Sequence, residues 1–497
     1  MQIFEEIKVI FTHNLYFCAK RNTMQTIEIQ EALVQLAKAS GYIVTDILPI
    51  AESGSPRKYY RIVTETGSVI GTYSTNIEEN EAFISFSRHF AEKHLNVPEV
   101  LAVSDDRCCY IQNDFGDDNL FNHVQNALRG KGYDEELICL FKMTLKQLVE
   151  FQCTGHQGLD YTKAYPSSCF DRQAIIDDLN YFKYYFVKPH QEIVFNETRL
   201  NHDFEAFADF VSQAPNDFFM YRDFQSRNIM LVEGEPYYID FQGGRRGAAQ
   251  YDVASLLYSA KSDLPEVVRQ ELLRHYMDCL AARTPLDRAD FEGRFYAYVL
   301  VRIMQAMGAY GYRGHFERKD YFLASIPLAV ANMRMVAEGH PLPIEVPHLQ
   351  QVWRAVAESQ AGAAAPTVAG LVVTVSSFSY KKGLPQDPSG NGGGYVFDCR
   401  ALPNPGRYPE YRAYTGMDRP VVEFLEGDEA VERFLAAAEE MVGPSIKRYL
   451  ERNFTSLTVS FGCTGGQHRS VYCAERLSKW ISENFDCEVV TKHREQQ

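Results

Sequence analysis

Three oxygen-bearing side chains set the first expectation about chemistry. Asp223 and Asn228 lie five positions apart in a segment running from Tyr221 to Asn228, and Asp240 follows twelve positions later, with Phe241 and Gln242 after it. Phosphoryl transfer needs little covalent help, but it needs an oriented hydroxyl and metal ions on the phosphates. Asp223 is suited to accept the proton of an attacking hydroxyl. Asn228 and Asp240 form an all-oxygen pair suited to Mg²⁺, which takes a few protein oxygens and fills its octahedron with phosphates and water. An Asp followed five residues on by Asn is common by chance. The strand ending in Asp240 at this distance raises the specificity of the pattern.

These groups need elements that bring them together. Ile229–Val232 and Pro236–Asp240 flank a Glu-Gly-Glu turn and predict a hairpin that folds Asp240 back onto Asn228. Upstream, residues 43–111 read as strand-rich, with strands at Tyr59–Val63 and Ser68–Tyr73 and a helix over Glu79–Lys93. From Leu120 to Gly339 the pattern is mainly helical; Arg294–Tyr310 is one such helix, with Tyr298, Val301, Ile303 and Met304 spaced to face a core. A small β-rich lobe before a helical lobe is an α+β bilobal, protein-kinase-like arrangement.

The loop Tyr221–Asn228 resembles the H-x-D-x-x-x-x-N loop of aminoglycoside phosphotransferase-like and choline kinase-like enzymes. Ile239–Gly244, followed by Gln250–Leu257, resembles the branch that phosphorylates the anomeric hydroxyl of cell-wall amino sugars, N-acetylmuramate and N-acetylglucosamine. The resemblance covers roughly residues 40–340. It implies ATP- and Mg²⁺-dependent phosphorylation of a sugar or amino-sugar hydroxyl. It also implies that Asp252 braces the catalytic loop, with Arg222 and Gln225 supporting loop or substrate; an N-cap role for Asp252 is compatible with this.

The nucleotide side departs from the ordinary kinase pattern. Ala51–Arg61 sits between two strands, where a phosphate-covering loop belongs, yet it has one glycine. Ser53, Gly54 and Ser55 can offer backbone N–H groups to phosphate, and Arg57 or Lys58 can add charge. Val69–Tyr73 lacks the lysine that ordinary kinases pair with a helix glutamate. This leaves open which cation neutralises the phosphates, with Glu79 or Glu81 as the candidate helix partner. Ile111–Asp117, containing Asp114, resembles the hinge that holds adenine.

A second constellation lies near the C-terminus. Ser456–Cys463 reads as a strand, Thr464–His468 as a loop with Gly465 and Gly466, and the segment from Arg469 as a helix with Val471, Ala474, Leu477 and Ile481 on one face. Such a unit aims loop N–H groups and a positive helix end at one point, an anion site by construction. Arg469 offers a planar fork of donors. Cys463 and Arg469 also have the Cys-x5-Arg spacing of cysteine phosphatases, and Cys463 at a helix N-terminus has reason to be acidic. A phosphate cradle without turnover needs the same backbone, and binding without hydrolysis is the expectation.

Residues 371–497 resemble the C-terminal domain of the RNase adapter protein RapZ. The matching pieces are Phe378–Pro385, Val396–Pro405, Thr415–Asp418, Gly462–Tyr472 and Lys492–Arg494. That resemblance implies an amino-sugar-phosphate site, of the glucosamine-6-phosphate kind, built from Cys463, Thr464, Gly465, Gly466, Gln467, His468, Arg469 and Ser470, with Asp398, Arg400, Thr415 and Gly416 nearby. Asp398 with Arg400 also fits a structural ion pair, and His468 a capped loop residue. The family normally has a P-loop NTPase domain in front; this chain shows no G-x-x-x-x-G-K-[ST], and the kinase-like domain stands in its place, which argues against RNA as partner. The two resemblances together imply a kinase joined to a sugar-phosphate sensor.

The remaining sequence bounds these readings. The chain has 497 residues, too many for one core. Domains are expected as an extension at 1–24, a kinase domain at 25–340 (small lobe about 40–115, helical lobe about 120–340), a linker at 341–369 and a C-terminal domain at 370–497. Within the linker, Ala361–Thr367 is a run of small residues. The start, Met1–Thr23, is a poor secretory signal, and no run of 18 apolar residues predicts a membrane span. The 11 cysteines contain no CxxC pair and read as reduced thiols of a cytoplasmic protein. A net charge of −15 disfavours general attraction to nucleic acid. The charge is uneven: from Leu371 onward 15 Lys and Arg stand against 17 Asp and Glu.

Overall fold

The computed structural model describes residues 26–50, 57–130, 132–317, 320–359, 371–385, 394–451, 454 and 456–496. The expected N-terminal extension, the Ala361–Thr367 run and the predicted phosphate-loop residues Ser53, Gly54 and Ser55 lie outside them. The chain divides into two compact units, one of residues 1–124, 133–308 and 328–359, the other of 125–132, 309–327 and 360–497.

The first unit begins with helix α1 (26–39) and an antiparallel sheet of strands β1 (Val44–Pro49), β2 (Lys58–Thr64), β3 (Gly67–Tyr73), β4 (Val100–Val103) and β5 (Cys109–Asn113), in the order β1-β2-β3-β5-β4. Alternation along β2 buries Tyr60 and Ile62 against Leu33 and Ala37 of α1. Helix α2 (Ile77–Glu92) is inserted before β4; the Asn76 side chain caps it by accepting from the Glu79 N–H at 3.2 Å. Its buried face carries Phe83, Ile84, Phe86 and Phe90.

The larger part of this unit is helical: α3 (Leu120–Arg129, its start), α4 (Glu135–Glu150), α5 (Arg172–Phe182), α6 (Glu197–Val211), α7 (Gln250–Leu257), α8 (Glu266–Ala281) and α9 (Arg288–Gly311, all but its end), then, after α10 (Asp320–Leu323) of the second unit, α11 (Ile326–Gly339) and α12 (Pro347–Glu358). Tyr298, Val301, Ile303 and Met304 of α9 are buried as their spacing predicts. Against the expectation of a linker over 341–369, α12 buries Leu349, Val352, Trp353 and Val356, and Asp203 of α6 accepts from the Leu349 N–H at 2.9 Å. An amphipathic helix with a capped first turn packs; it does not span.

Two short antiparallel ladders sit among these helices: β6 (Phe218–Met220) with β9 (Arg245–Gly247), and β7 (Ile229–Val232) with β8 (Glu235–Tyr238). The β7–β8 hairpin turns through Glu233 and Gly234, both at positive φ (53° and 84°), the two-residue turn whose twist matches its strands.

In the second unit β10 (Val372–Ser379), β11 (Tyr395–Asp398), β12 (Ser456–Cys463) and β13 (Glu488–His493) form a parallel sheet in the order β11-β12-β10-β13. Parallel sheets need helical cover. Helices α13 (Arg419–Glu426), α14 (Glu429–Glu451) and α15 (Arg469–Asn484) accompany it, and Val373, Val375, Val459 and Phe461 pack with Val442, Ile446, Leu477 and Ile481 in one core. Among the described residues no helix is long and apolar enough to cross a membrane.

Candidate functional site

β6 ends at Met220, and the chain enters a loop in which Arg222 adopts φ 77° before Asp223. Left-handed backbone at a bulky residue is costly and persists only where surroundings impose it. Here they do. Asp252, in the first turn of α7, accepts from the Tyr221 N–H at 2.7 Å and the Arg222 N–H at 2.9 Å. The Arg222 guanidinium is held bidentately by Asp178 of α5 at 2.7 and 2.8 Å and lies over the rings of Phe170 and Tyr251. Asp178 had no motif to announce it, because a long-range ion pair leaves no spacing signal.

The loop then turns through Ser226–Asn228 into β7, and the hairpin returns at Ile239, whose N–H donates to the Asn228 carbonyl at 3.0 Å. Asp240 takes φ 69°. The Asn228 side-chain amide donates to the Asp223 carbonyl at 2.9 Å and to the Asp240 carboxylate at 3.2 Å, which gathers Asp223, Asn228 and Asp240 in one place. Gln242 donates to the other Asp240 oxygen at 2.6 Å. Gln225 stands 3.5 Å from the Asp223 carboxylate. Burial and the neighbouring Asp223 charge raise the Asp240 carboxyl above the usual carboxylate range, against the pull of Gln242 and Arg57.

The small lobe contributes a cation. Arg57, just before β2, is 2% exposed; its guanidinium donates to the Glu79 carbonyl at 3.1 Å and lies 3.5 Å from the Glu79 carboxylate on α2. Burial raises the Glu79 carboxyl, Arg57 opposes this, and both Asp240 and Asp223 act on it. Phe83 of α2 stacks on Phe241, next to Asp240, at 4.9 Å. Arg57 and Glu79 therefore belong to the same electrostatic cluster as the two aspartates. Lys58 is half-buried opposite Tyr73 in the β2–β3 ladder. Asp114 is engaged within the small lobe: it accepts from Arg61 at 2.5 and 3.1 Å and from Ser68 at 2.7 Å, and its carboxylate is spent on the fold.

The oxygens of Asn228 and Asp240 fit a hard divalent cation by donor type. Among the described residues no group of three or more His, Cys, Asp and Glu gathers to hold a metal. A cation here would lean on phosphate oxygens for the rest of its shell.

In the second unit the predicted loop joins β12 to α15. The Cys463 sulfur accepts from the Gly466 N–H at 3.1 Å and lies 3.2 Å from the Ser470 hydroxyl. Thr464 and Gly465 form the exposed tip. Gly466 takes φ 69°. Gly416 donates its N–H to the Gln467 carbonyl at 2.9 Å, and a Cβ there would meet the His468 carbonyl at 2.2 Å. Thr415 is fastened to Asp418. Gln467 donates to the carbonyls of Arg412 and Tyr414, and His468 lies 3.0 Å from that of Tyr411. Asp398 and Arg400 form an exposed ion pair, with Arg400 over the Tyr380 ring.

Arg469 departs from expectation. It is 5% exposed, and its guanidinium donates to the carbonyls of Arg400 at 2.8 Å and Leu402 at 3.1 Å. Its Nη1 fastens the loop to the segment after β11, while Nε is buried without a hydrogen-bond partner among the described residues.

Comparison with known proteins gives the same two parts. Residues 164–287 match the phosphotransferase enzyme family (APH), and residues 371–497 match the RapZ C-terminal domain. The chain thus carries one segment similar to the phosphotransferase enzyme family and another similar to the RapZ C-terminal domain. A curated "Nucleotide-binding protein" of Chromobacterium violaceum is 41% identical over 125 residues, 25% of this chain and 42% of the relative. One of Acidithiobacillus ferrooxidans is 43% identical over 126 residues, 25% of this chain and 40% of that protein. The chain thus spans about two fifths of the length of these curated relatives. Among solved structures, a choline/ethanolamine kinase family protein from Mesorhizobium loti is 15% identical with a TM-score of 0.43, covering 66% of this chain and 99% of that one. Choline kinase from Cryptosporidium parvum Iowa II is 10% identical with a TM-score of 0.44, covering 65% and 99%.

Proposed function

We propose that the first unit transfers a phosphoryl group from ATP, with Mg²⁺, to a hydroxyl of a sugar or amino sugar of the N-acetylhexosamine or N-acetylmuramate type. We further propose that the RapZ C-terminal domain binds an amino-sugar phosphate such as glucosamine-6-phosphate. The observation that carries the kinase reading is the meeting of Asp223, Asn228 and Asp240 through the Asn228 amide. Asp223, on a backbone locked by Asp252, accepts the hydroxyl proton. Asn228 and Asp240 would hold Mg²⁺, which when bound would neutralise charge on the transferring phosphoryl group. Arg57, oriented by Glu79, stands where ordinary kinases use a lysine and faces the nucleotide phosphates. The loop from Cys463 to Ser470 supports the second reading through its exposed tip and the helix N-terminus behind it.

The test is ATP turnover by the full chain against a panel of N-acetylated hexosamines with Mg²⁺. Sugar-dependent ADP release is expected, and Asp223→Ala should lower it by about 10²–10⁴-fold, the usual worth of a general base. Nucleotide binding without turnover on any sugar, unchanged by Asp223→Ala, would instead point to a regulatory adapter.

A further inference from the structure

Phe397 and Phe461 face each other across β11 and β12, their rings stacked with centroids 5.3 Å apart. Asp398 pairs with Gly462 in the same register. Each chain continues from that pair into a cysteine: Cys399 opens the short 3-10 turn directly after β11, and Cys463 is the last residue of β12. Adjacent strands lie about 4.8 Å apart, within the roughly 4.4–6.8 Å of Cα separation that a disulfide spans. Both cysteines are buried, at 0% and 3% exposure, in the core that also holds Cys473 of α15.

The two thiols are not equivalent. Burial pushes the Cys463 thiol up, but the Ser470 hydroxyl and the N–H groups of Ser470, Gly466 and Gly465 outweigh burial and hold it below the ordinary thiol range. Burial, with the Cys473 and Cys463 thiols beside it, holds Cys399 well above that range. One sulfur is prepared as a nucleophile. The other is a protonated thiol in the same core, hydrogen-bonded with Cys473 and close enough to feel the Cys463 charge.

We propose that Cys463 is a peroxide-reactive thiol with Cys399 as its resolving partner, so that a reversible Cys399–Cys463 disulfide forms beneath the Cys463–Ser470 loop. With hydrogen peroxide as oxidant, the Cys463 thiolate attacks one oxygen. The S–O bond forms, the O–O bond breaks, and the departing hydroxide takes up a proton as water. The Cys399 sulfur then attacks the sulfenic sulfur. The S–S bond forms, the S–O bond breaks, and the hydroxide leaves with the Cys399 proton as a second water. Two thiols lose two electrons, and one peroxide gains them. The Cys463 sulfur on which the Gly466 N–H and Ser470 hydroxyl converge turns toward β11, and the loop donors lose their common acceptor. Any effect on sugar-phosphate binding rests on the ligand reading proposed above; the thiol chemistry does not.

The experiment treats the full chain with hydrogen peroxide, alkylates remaining thiols under denaturing conditions and maps the peptides by mass spectrometry. A Cys399–Cys463 linkage is expected, absent after dithiothreitol, with Cys473 alkylated. With Cys399→Ser and Cys473→Ser combined, dimedone should trap a sulfenic acid on Cys463. Full alkylation of Cys463, or a linkage of Cys399 to Cys473 or of Cys463 to any other cysteine, would overturn the assignment. Calorimetry with glucosamine-6-phosphate separates the two readings. Oxidation should weaken binding by about tenfold or more, the worth of one charge-assisted donor. If the linkage forms and the reduced protein binds no glucosamine-6-phosphate, the ligand reading fails and the thiol pair stands.

Discussion

The Arg57 guanidinium lies 3.5 Å from the Glu79 carboxylate and donates to the Glu79 carbonyl at 3.1 Å, joining the start of β2 to α2. Val69–Tyr73 lacks a lysine, and the buried cation set against α2 is this arginine. Its charge acts on Asp240, and Asp240 and Asp223 act on Glu79. The pair is part of the site and not a surface ornament, since Arg57 is 2% exposed.

Glu79→Gln tests this. The amide keeps the shape and leaves the main-chain contact to Arg57 intact, but it removes the charge that orients the guanidinium. The KM for ATP should rise by roughly 10- to 100-fold, the worth of a charge-assisted hydrogen bond, with a small change in melting temperature. An unchanged KM would show that Arg57 does not serve the nucleotide.

Asp178 is the second test, because it neutralises a buried charge beside the base. Asp178→Ala should destabilise the unit by about 3–5 kcal/mol, the cost of leaving one member of a buried pair alone, and slow turnover by loosening the strained Arg222 backbone. The double variant Asp178→Ala, Arg222→Ala should be more stable than Asp178→Ala alone. Chemical denaturation of the three proteins decides it; additive losses would mean that the pair contributes no coupling.

How much of this was open to sequence reading follows a physical line. Asp223, Asn228 and Asp240 were legible because a loop of fixed length and a hairpin bring them together, and both are local. The β10–β13 unit was legible for the same reason at Cys463–Ser470. Asp178, Gln242 and Gln152, which donates to the Ala249 carbonyl ahead of α7, were not: they are ordinary helix or loop residues until the fold brings them in. Arg469 was legible by type and spacing, but its Nη1 bonds to the carbonyls of Arg400 and Leu402 were not, because those residues are distant in sequence. The Asp114 carboxylate likewise gave no sign of its partner, since Arg61 lies on β2, one strand removed from β5.

Asp252 gives a pH dependence with a definite sign. Burial outweighs its two backbone donors and pushes its carboxyl up to about 7. An ordinary Asp titrates near about 3.9, so the folded unit binds an extra proton between these values. Its contribution to stability is fully present below about pH 4 and is lost as pH rises through about 7. Asp252→Asn removes the titration. The melting-temperature advantage of the wild type over this variant should therefore shrink between pH 5 and pH 8. An advantage that grows with pH would mean that the Tyr221 and Arg222 N–H groups keep Asp252 ionised.

Gly416 tests the ligand reading proposed for the Cys463–Ser470 loop without touching its cysteine. Any side chain there would place a Cβ 2.2 Å from the His468 carbonyl and 2.4 Å from the Tyr472 N–H nitrogen, both backbone atoms that cannot swing aside. Gly416→Ala must therefore push the Thr415 segment off the loop or shift the first turn of α15. The Gly416 N–H bond to Gln467 goes with it, a loss of about 1 kcal/mol in itself, to which the displacement adds. Glucosamine-6-phosphate binding, read by calorimetry, should fall by at least about tenfold, the equivalent of about 1.4 kcal/mol. The kinase readout of the same protein serves as its folding control. Unchanged sugar-phosphate affinity in Gly416→Ala would place the ligand away from the Cys463–Ser470 loop.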